Sequence, residues 1–442
     1  MKKIIFSILF SISMLFAQSE ASGLVDSVYW VDMHNGNDSN NGTSAATAFK
    51  TIHKVLATNT YLSSEVVTTT IKVMPSVVAG SPNGYYDFGD SELYLATSND
   101  FELIGVAGPD STIFDAESKN RHMSLYYGQS NKSIIQGITF INGKSTNWPD
   151  GGSIYISNST NIQFIDCVWK NNSSSYGSDG GGAIHIREKA TPSFTSCVFD
   201  SNFMDVDDNS TSGGAISIQY PQNETDLKSA IKIKRSKFSN NYVKAKYQAT
   251  GGAIHSRRAI EIENSLFVNN GAISNNGGSN NSSFGGAIAL NINWYDNGYK
   301  IADAYIKNST FHGNYIKSLS SSTGDMVGAA IAHAQWDNAG QKTFIFNTII
   351  TGSRALVVND TTDYDTSNLS SNYKKRLIVG EANSGNNKLT MDYSNVQAST
   401  SGSGWGDYVY NVSAAYKDTS NNDYSLSDKS PLIGAGVLAW TE

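Results

Sequence analysis

The sequence predicts an all-β protein, a parallel β-helix solenoid with a short N-terminal capping helix, and three observations predict it. The 442 residues include 39 Gly, 23 Tyr and only 7 Pro, with Asn, Ser and Thr abundant, a mix suited to many tight turns joining many short strands. One phrase returns along the middle of the chain: GGSIYI at Gly151, GGAIHI at Gly181, GGAISI at Gly213, GGAIHS at Gly251, GGAIAL at Gly285 and GAAIAH at Gly328. A second phrase lies between the copies: NIQFIDCVWKNN from Asn161, TPSFTSCVFDSN from Thr191, AIKIKRSKFSNN from Ala230, AIEIENSLFVNN from Ala259 and AYIKNSTFHGN from Ala304. In it, apolar residues alternate with polar ones at the period of a strand.

The GGAI copies are spaced by 30, 32, 38, 34 and 43 residues, too irregular for a helical solenoid whose repeat is a fixed packing unit. Short constant strands joined by loops of variable length fit these spacings, one repeat to each rung. A β-sandwich has similar turn density but does not repeat whole phrases.

Taken in chain order, residues 1–17 read as a secretory signal peptide. Lys2 and Lys3 precede an apolar run from Ile4 to Phe16 that ends in small residues at Ala17 or Ala21, and the run is too short for the roughly 20 residues a bilayer span needs. Residues 24–125 form the N-terminal cap and first rungs. Phe49, Ile52, Val55 and Leu56 fall on one face at helical spacing, and a helix there protects the unpaired edge of the first rung. Residues 126–400 carry the repeats, and residues 401–442 the C-terminal rung or cap.

Stacked rungs place equivalent residues about 4.8 Å apart, so like side chains form ladders. Trp169, Phe199, Phe238, Phe267 and Phe311 are predicted to stack inside, as are Ile154, Ile184, Ile216, Ile254, Ile288 and Ile331. Asn172, Asn202, Asn241, Asn270 and Asn314 follow the aromatic by three and form an amide ladder at a turn. The glycine pairs suit positions of positive φ or of close approach between rungs. Lys232 and Lys234 face Glu261 and Glu263 on the next rung, with Lys307 beyond, the arrangement of favourable cross-strand pairs. Cys167 and Cys197 occupy one place in adjacent rungs, aligned with Ser236, Ser265 and Ser309. Their spacing permits a disulfide, but side chains of adjacent parallel strands point the same way, and free thiols are expected.

The stretch from Tyr29 resembles a known family. Val31, Gly36, Asn37, Asp38, Gly42, Thr43, Phe49, Lys50, Thr51 and Ile52 match the opening of secreted bacterial β-helix proteins of the pectin-lyase-like superfamily that begin with a domain of unknown function; Ala48 stands where that family usually has Pro. The GGAI and F-x-x-N phrases resemble the repeats of polymorphic outer-membrane proteins, and SPLIGAGV from Ser430 to Val437 resembles the closing phrase of many such chains. The resemblance implies a single-stranded right-handed winding and a place outside the cell, released or at the outer surface. It implies little about activity, because the superfamily mixes lyases, hydrolases, adhesins and uncharacterised surface proteins.

Function on such a solenoid sits on an outward face. Beside the inward Ile of each GGAI phrase, the next outward residues are Tyr155, His185, Ser217, His255, Ala289 and Ala332. Two further on are Ser157, Arg187, Gln219, Arg257 and Asn291. The strip reads either as a solvated sheet face or as a groove for an anionic sugar chain, with the arginines neutralising carboxylates. In the second reading His185, Arg187, His255 and Arg257 are the catalytic candidates, and Tyr155, Gln219 and Arg258 contact the glycan. Asp205, Asp207 and Asp208 crowd one loop and are either an exposed acidic turn or oxygen ligands for Ca²⁺, the one cofactor the sequence suggests. Asn35, Asn37 and Asp38 form a second oxygen cluster that a tight turn explains as well, and Asp150 and Asp179 precede neighbouring glycine pairs as a weak carboxylate pair.

A net charge of −7, from 32 Lys+Arg against 39 Asp+Glu, excludes a basic nucleic-acid binder. There is no nucleophile elbow, HExxH, phosphate loop or CxxC. The expected function is therefore interaction of a monomer with extracellular polysaccharide or a cell surface, with no transmembrane segment in the mature chain. The alternative is a polysaccharide lyase or glycoside hydrolase acting on a uronate-containing glycan.

Overall fold

The computed structural model describes residues 25–433 apart from 59–65, 77–85, 88–91, 96–98, 149, 159, 177–179, 221–225, 228, 276–281, 291–299, 302, 320–325, 335–341, 358–378, 383–388, 393, 397–408 and 422. The signal segment and the end of the closing phrase lie outside the described residues. The described chain is almost wholly strand, with parallel sheets of 11, 11, 9, 7 and 4 strands whose neighbours are one rung apart.

One rung shows the plan. From Ile184–Ile186 in the GGAI sheet the chain passes to Ser193–Thr195 in a first long sheet, then to Val198–Asp200 in an aromatic sheet. It continues through Phe203–Val206 in a side sheet and Thr211–Ser212 in a short flanking sheet, and Ile216–Ile218 then lies directly against Ile184–Ile186. The corners turn on single residues with positive φ: Asp166, Ser196, Arg235, Asn264 and Asn308 at one, Asn171, Ser201, Asn240 and Asn269 at another. Asn, Asp and Ser recur there because a short polar side chain eases the left-handed conformation.

The predicted ladders form. Trp169, Phe199, Phe238, Phe267 and Phe311 stack face to face at 4.6–4.8 Å, all fully buried; full burial of each ring contributes about 2–3 kcal/mol. From Asn172 to Asn270 each ladder asparagine donates through Nδ2 to the next Oδ1, at 2.9 Å from Asn172 to Asn202 and 3.0 Å from Asn202 to Asn241, and also to a backbone carbonyl one rung back. Each Oδ1 accepts the preceding asparagine's backbone N–H as well, so no amide of the central ladder is left unsatisfied. In the Gly251–Gly252 pair the two members serve different needs. Gly251 has φ +69°, while a Cβ on Gly252 would lie 2.1 Å from the Gly286 carbonyl oxygen.

Cys167 and Cys197 are free and buried, as expected. Their Sγ atoms point inward at backbone carbonyls of Ile135 and Phe164, and burial pushes the Cys197 thiol up to about 12. Lys234 pairs with Glu263 at 3.2 Å, and Glu263 lies in register with Lys307.

The capping helix spans Ile52–Leu56, with the Thr51 side chain accepting from the Lys54 N–H. Ile52 and Val55 are buried, as is Phe49. The Asp38 carboxylate accepts from the backbone N–H groups of Lys50 and Thr51 and from the Thr51 hydroxyl, and a Cβ on Gly36 would strike the Phe49 carbonyl. Through Asp38 the N-terminal motif therefore ties the capping helix to the first rung, while Asn37 Oδ1 accepts from the Ser39 N–H in a local turn. At the other end Val409–Tyr410 adds a strand to the aromatic sheet, and an antiparallel hairpin, Tyr416–Asp418 with Asp423–Leu426, follows.

Candidate functional site

The outward file of the GGAI sheet runs, in register, Tyr94, Ser124, Tyr155, His185, Ser217, His255, Ala289 and Ala332. Its exposure is not uniform. Tyr94 is 44% exposed, Tyr155 is half-buried, and from His185 onward every member is buried. A flanking sheet, found among the described residues in the longer middle rungs, covers part of the file: Phe284 and Val327 pack on Ala289 and Ala332, and the Ser212 hydroxyl lies 3.4 Å from that of Ser217. Tyr94 and Tyr155 stand where the face is open, Ser124 is buried between them, and His185 and His255 are buried with the small residues beyond.

His185 and His255 thus lie on the outer face but not in solvent, each 1% exposed, which corrects the expectation of an open strip. Among the described residues, neither ring nitrogen of His185 has a hydrogen-bond partner. Burial, and beyond it the positive charges of Arg187, Arg121 and Arg257, holds the His185 imidazole well below the usual histidine range; burial, Arg257 and His185 do the same to His255. Both are neutral at physiological pH.

Arg187 is half-exposed and lies with its guanidinium 4.6 Å over the ring of Trp148, which is 55% exposed. Among the described residues it has no carboxylate partner, and its buried Nε is unbonded. The ring of Trp148 meets Tyr155 at 6.4 Å, and Tyr155 meets His185 at 5.8 Å and Tyr126 at 6.2 Å. Arg121 lies behind this row, 2.9 Å from Glu92 and bonded to the Asp150 carbonyl. The row is an aromatic surface with, at its edge, a cation that has no carboxylate partner among the described residues, suited to hold an anion beside an apolar ring.

Other sequence candidates fall elsewhere. Arg258 is 1% exposed, and its guanidinium donates to the backbone carbonyls of Glu188 and Ala190 at 3.0 and 2.7 Å, so it ties the turn below the face and cannot meet a glycan. Gln219 is buried and donates to Ser217. Of the acidic loop, Asp205 is held by Lys244 at 2.9 and 3.0 Å, and Asp207 lies 3.7 Å from the same ammonium. That cation stands where Ca²⁺ would, and no group of three His, Cys, Asp or Glu among the described residues is arranged to hold an ion; the residues do not fit a calcium site. Asp150 is buried near the Ser174 hydroxyl, while Asp179 and Asn291 lie outside the described residues.

Sequence reasoning missed Tyr94, Tyr126, Tyr127 and Trp148. The first three lie in the ELYL and MSLYY phrases, which occupy the same sheet two rungs and one rung before the Gly151 strand but lack the glycine pair that made the later rungs visible. Trp148 sits in the loop just before Asp150.

No family model matches the sequence, and no curated protein does. Among solved structures, a rhamnogalacturonan lyase matches at TM-score 0.39 and 11% identity, covering 83% of this chain and 87% of that one. No helix among the described residues is long and apolar enough to cross a membrane.

Proposed function

We propose that this chain is a secreted right-handed β-helix that binds an anionic polysaccharide on the open end of the GGAI face, without turning it over. The observation that carries this reading is Arg187: a half-exposed cation pinned on Trp148, without a carboxylate of its own among the described residues. A uronate carboxylate supplies the missing partner, and the rings of Trp148 and Tyr155 take the sugar face. Of the four catalytic candidates, His185 and His255 are 1% exposed and do not offer a base within hydrogen-bond reach of substrate; this favours binding over a lyase reaction that uses a histidine base.

Incubation with pectate, alginate and chondroitin, read by binding calorimetry and by ultraviolet absorbance of unsaturated products, tests both halves. Binding of a polyuronate, weakened at least tenfold in Arg187→Gln and without absorbance gain, is the expected result. Unsaturated product would replace the binding reading with the lyase one, and an unchanged Arg187→Gln affinity would remove the face from consideration.

A further inference from the structure

Beyond Tyr155, toward the N-terminal end of the same face, three phenol hydroxyls meet. Tyr126 donates to the Tyr94 hydroxyl, and the Tyr94 and Tyr127 hydroxyls are 2.9 Å apart. The Tyr126 and Tyr127 rings stack at 5.1 Å and 20°, and Tyr94 stands edge-on to them at 5.2 and 5.9 Å. Tyr94 and Tyr127 remain 44% and 40% exposed.

This inverts the usual arrangement of tyrosine, in which the ring is buried and the hydroxyl reaches out. Here the hydroxyls are occupied with one another and ring surface is left in water. The knot therefore presents rigid aromatic surface with no charge of its own. Glu92, the charge that acts on Tyr94, is already paired with Arg121 at 2.9 Å. Such a contiguous exposed aromatic patch marks a binding surface. The patch is continuous with the Arg187 site through the Tyr126–Tyr155 and Tyr155–Trp148 contacts, and Tyr94 lies three rungs from His185, about 14 Å at the spacing of sheet strands.

We propose that Tyr94, Tyr126 and Tyr127 form a second subsite that stacks an uncharged pyranose ring. That ring belongs to the same glycan whose carboxylate sits at Arg187, so the ligand class is a polysaccharide mixing neutral and acidic sugars; this rests on the binding reading given above. An acidic ring is the wrong occupant, because no described cation at the knot is free to take its carboxylate. The apolar face of a neutral sugar asks only for the flat ring that the knot offers.

The test is calorimetric titration of the full chain with three probes: a pure oligouronate, a neutral galactan oligosaccharide, and mixed chains (gellan and glucuronoxylan fragments). The proteins are wild type, Tyr94→Ala/Tyr127→Ala, Tyr94→Phe/Tyr127→Phe and Arg187→Gln. Expected are tighter binding of a mixed chain than of the oligouronate, loss of that advantage by about tenfold or more in the Ala pair, and its retention in the Phe pair, which keeps the rings. Equal weakening of oligouronate and mixed chain by the Ala pair overturns the subsite. So does a wild-type dimer that the Ala pair dissociates, since the patch then covers a second copy. An oligouronate bound through Arg187, with the Ala pair silent on every probe, sinks the subsite and leaves the binding reading standing. Tyrosine-dependent binding of the neutral probe with Arg187→Gln silent does the reverse.

Discussion

Arg187 lies with its guanidinium 4.6 Å above the ring of Trp148, and the ring that holds it is itself 55% exposed. Trp148→Ala is expected to leave the arginine charged but unplaced, weakening polyuronate binding by about 1 kcal/mol, roughly fivefold. Tryptophan emission of the wild type should shift when polyuronate is added, and the shift should shrink in the variant. An unchanged shift would assign the signal to another tryptophan and free Trp148 from the site.

The asparagine ladder makes a stability prediction. Asn241 accepts from both the backbone N–H and the Nδ2 of Asn202, and donates to the Phe199 carbonyl and to Asn270. Asn241→Ala strands several buried polar groups at once, each costing about 1–3 kcal/mol. Urea denaturation should report a loss of about 3 kcal/mol or more, and a loss below about 1 kcal/mol would show that water enters and replaces the amide.

His122 sets an acid-side dependence. It is fully buried; one ring nitrogen lies 3.0 Å from the Phe114 carbonyl and the other 3.0 Å from the Ser153 hydroxyl, and burial depresses it to about 4. A histidine depressed in the folded state takes its proton first in the unfolded chain. Stability is therefore full above about pH 6.5 and falls as the pH drops toward 4, by up to about 3 kcal/mol from this residue. His185 and His255 act with the same sign. His122→Gln should be less stable than wild type at pH 8, with the gap narrowing by pH 4.5; a constant gap would mean that the histidine takes up its proton equally in the folded and unfolded states.

The two thiols should be silent in the native protein. Cys167 and Cys197 are both buried and pushed up by that burial, so a thiol reagent should find none at pH 8 and two after denaturation. A mass lower by about two daltons before reduction would reveal a disulfide instead.

Much of this molecule is written in its repeats. The strands, the inward Phe and Ile files, the Asn ladder and the Lys–Glu pairs all follow from aligning the phrases, because a parallel solenoid converts sequence period directly into spatial neighbourhood. The left-handed corners at Asn171, Ser201 and Asn240 were legible only as turn composition, since nothing in one phrase separates the residue that bends from the one that joins the ladder. The site was half legible. Alignment found Tyr155, His185, Arg187, His255 and Arg257, but it passed over Tyr94 and Tyr126, whose rungs carry no glycine pair.

The sequence by itself therefore determined which residues share a file and which face of the strand each takes, since alternation and rung register are local properties. Only the tertiary structure decided which part of the outward file meets water. The flanking sheet arises from loops of variable length, and packing of Phe284 and Val327 onto Ala289 and Ala332 roofs one end of the face. Tyr94, Tyr127 and Trp148 are left open at the other. Whether a side chain that points outward is also exposed depends on what the next loop covers, and that is fixed by packing between segments whose spacing carries no period.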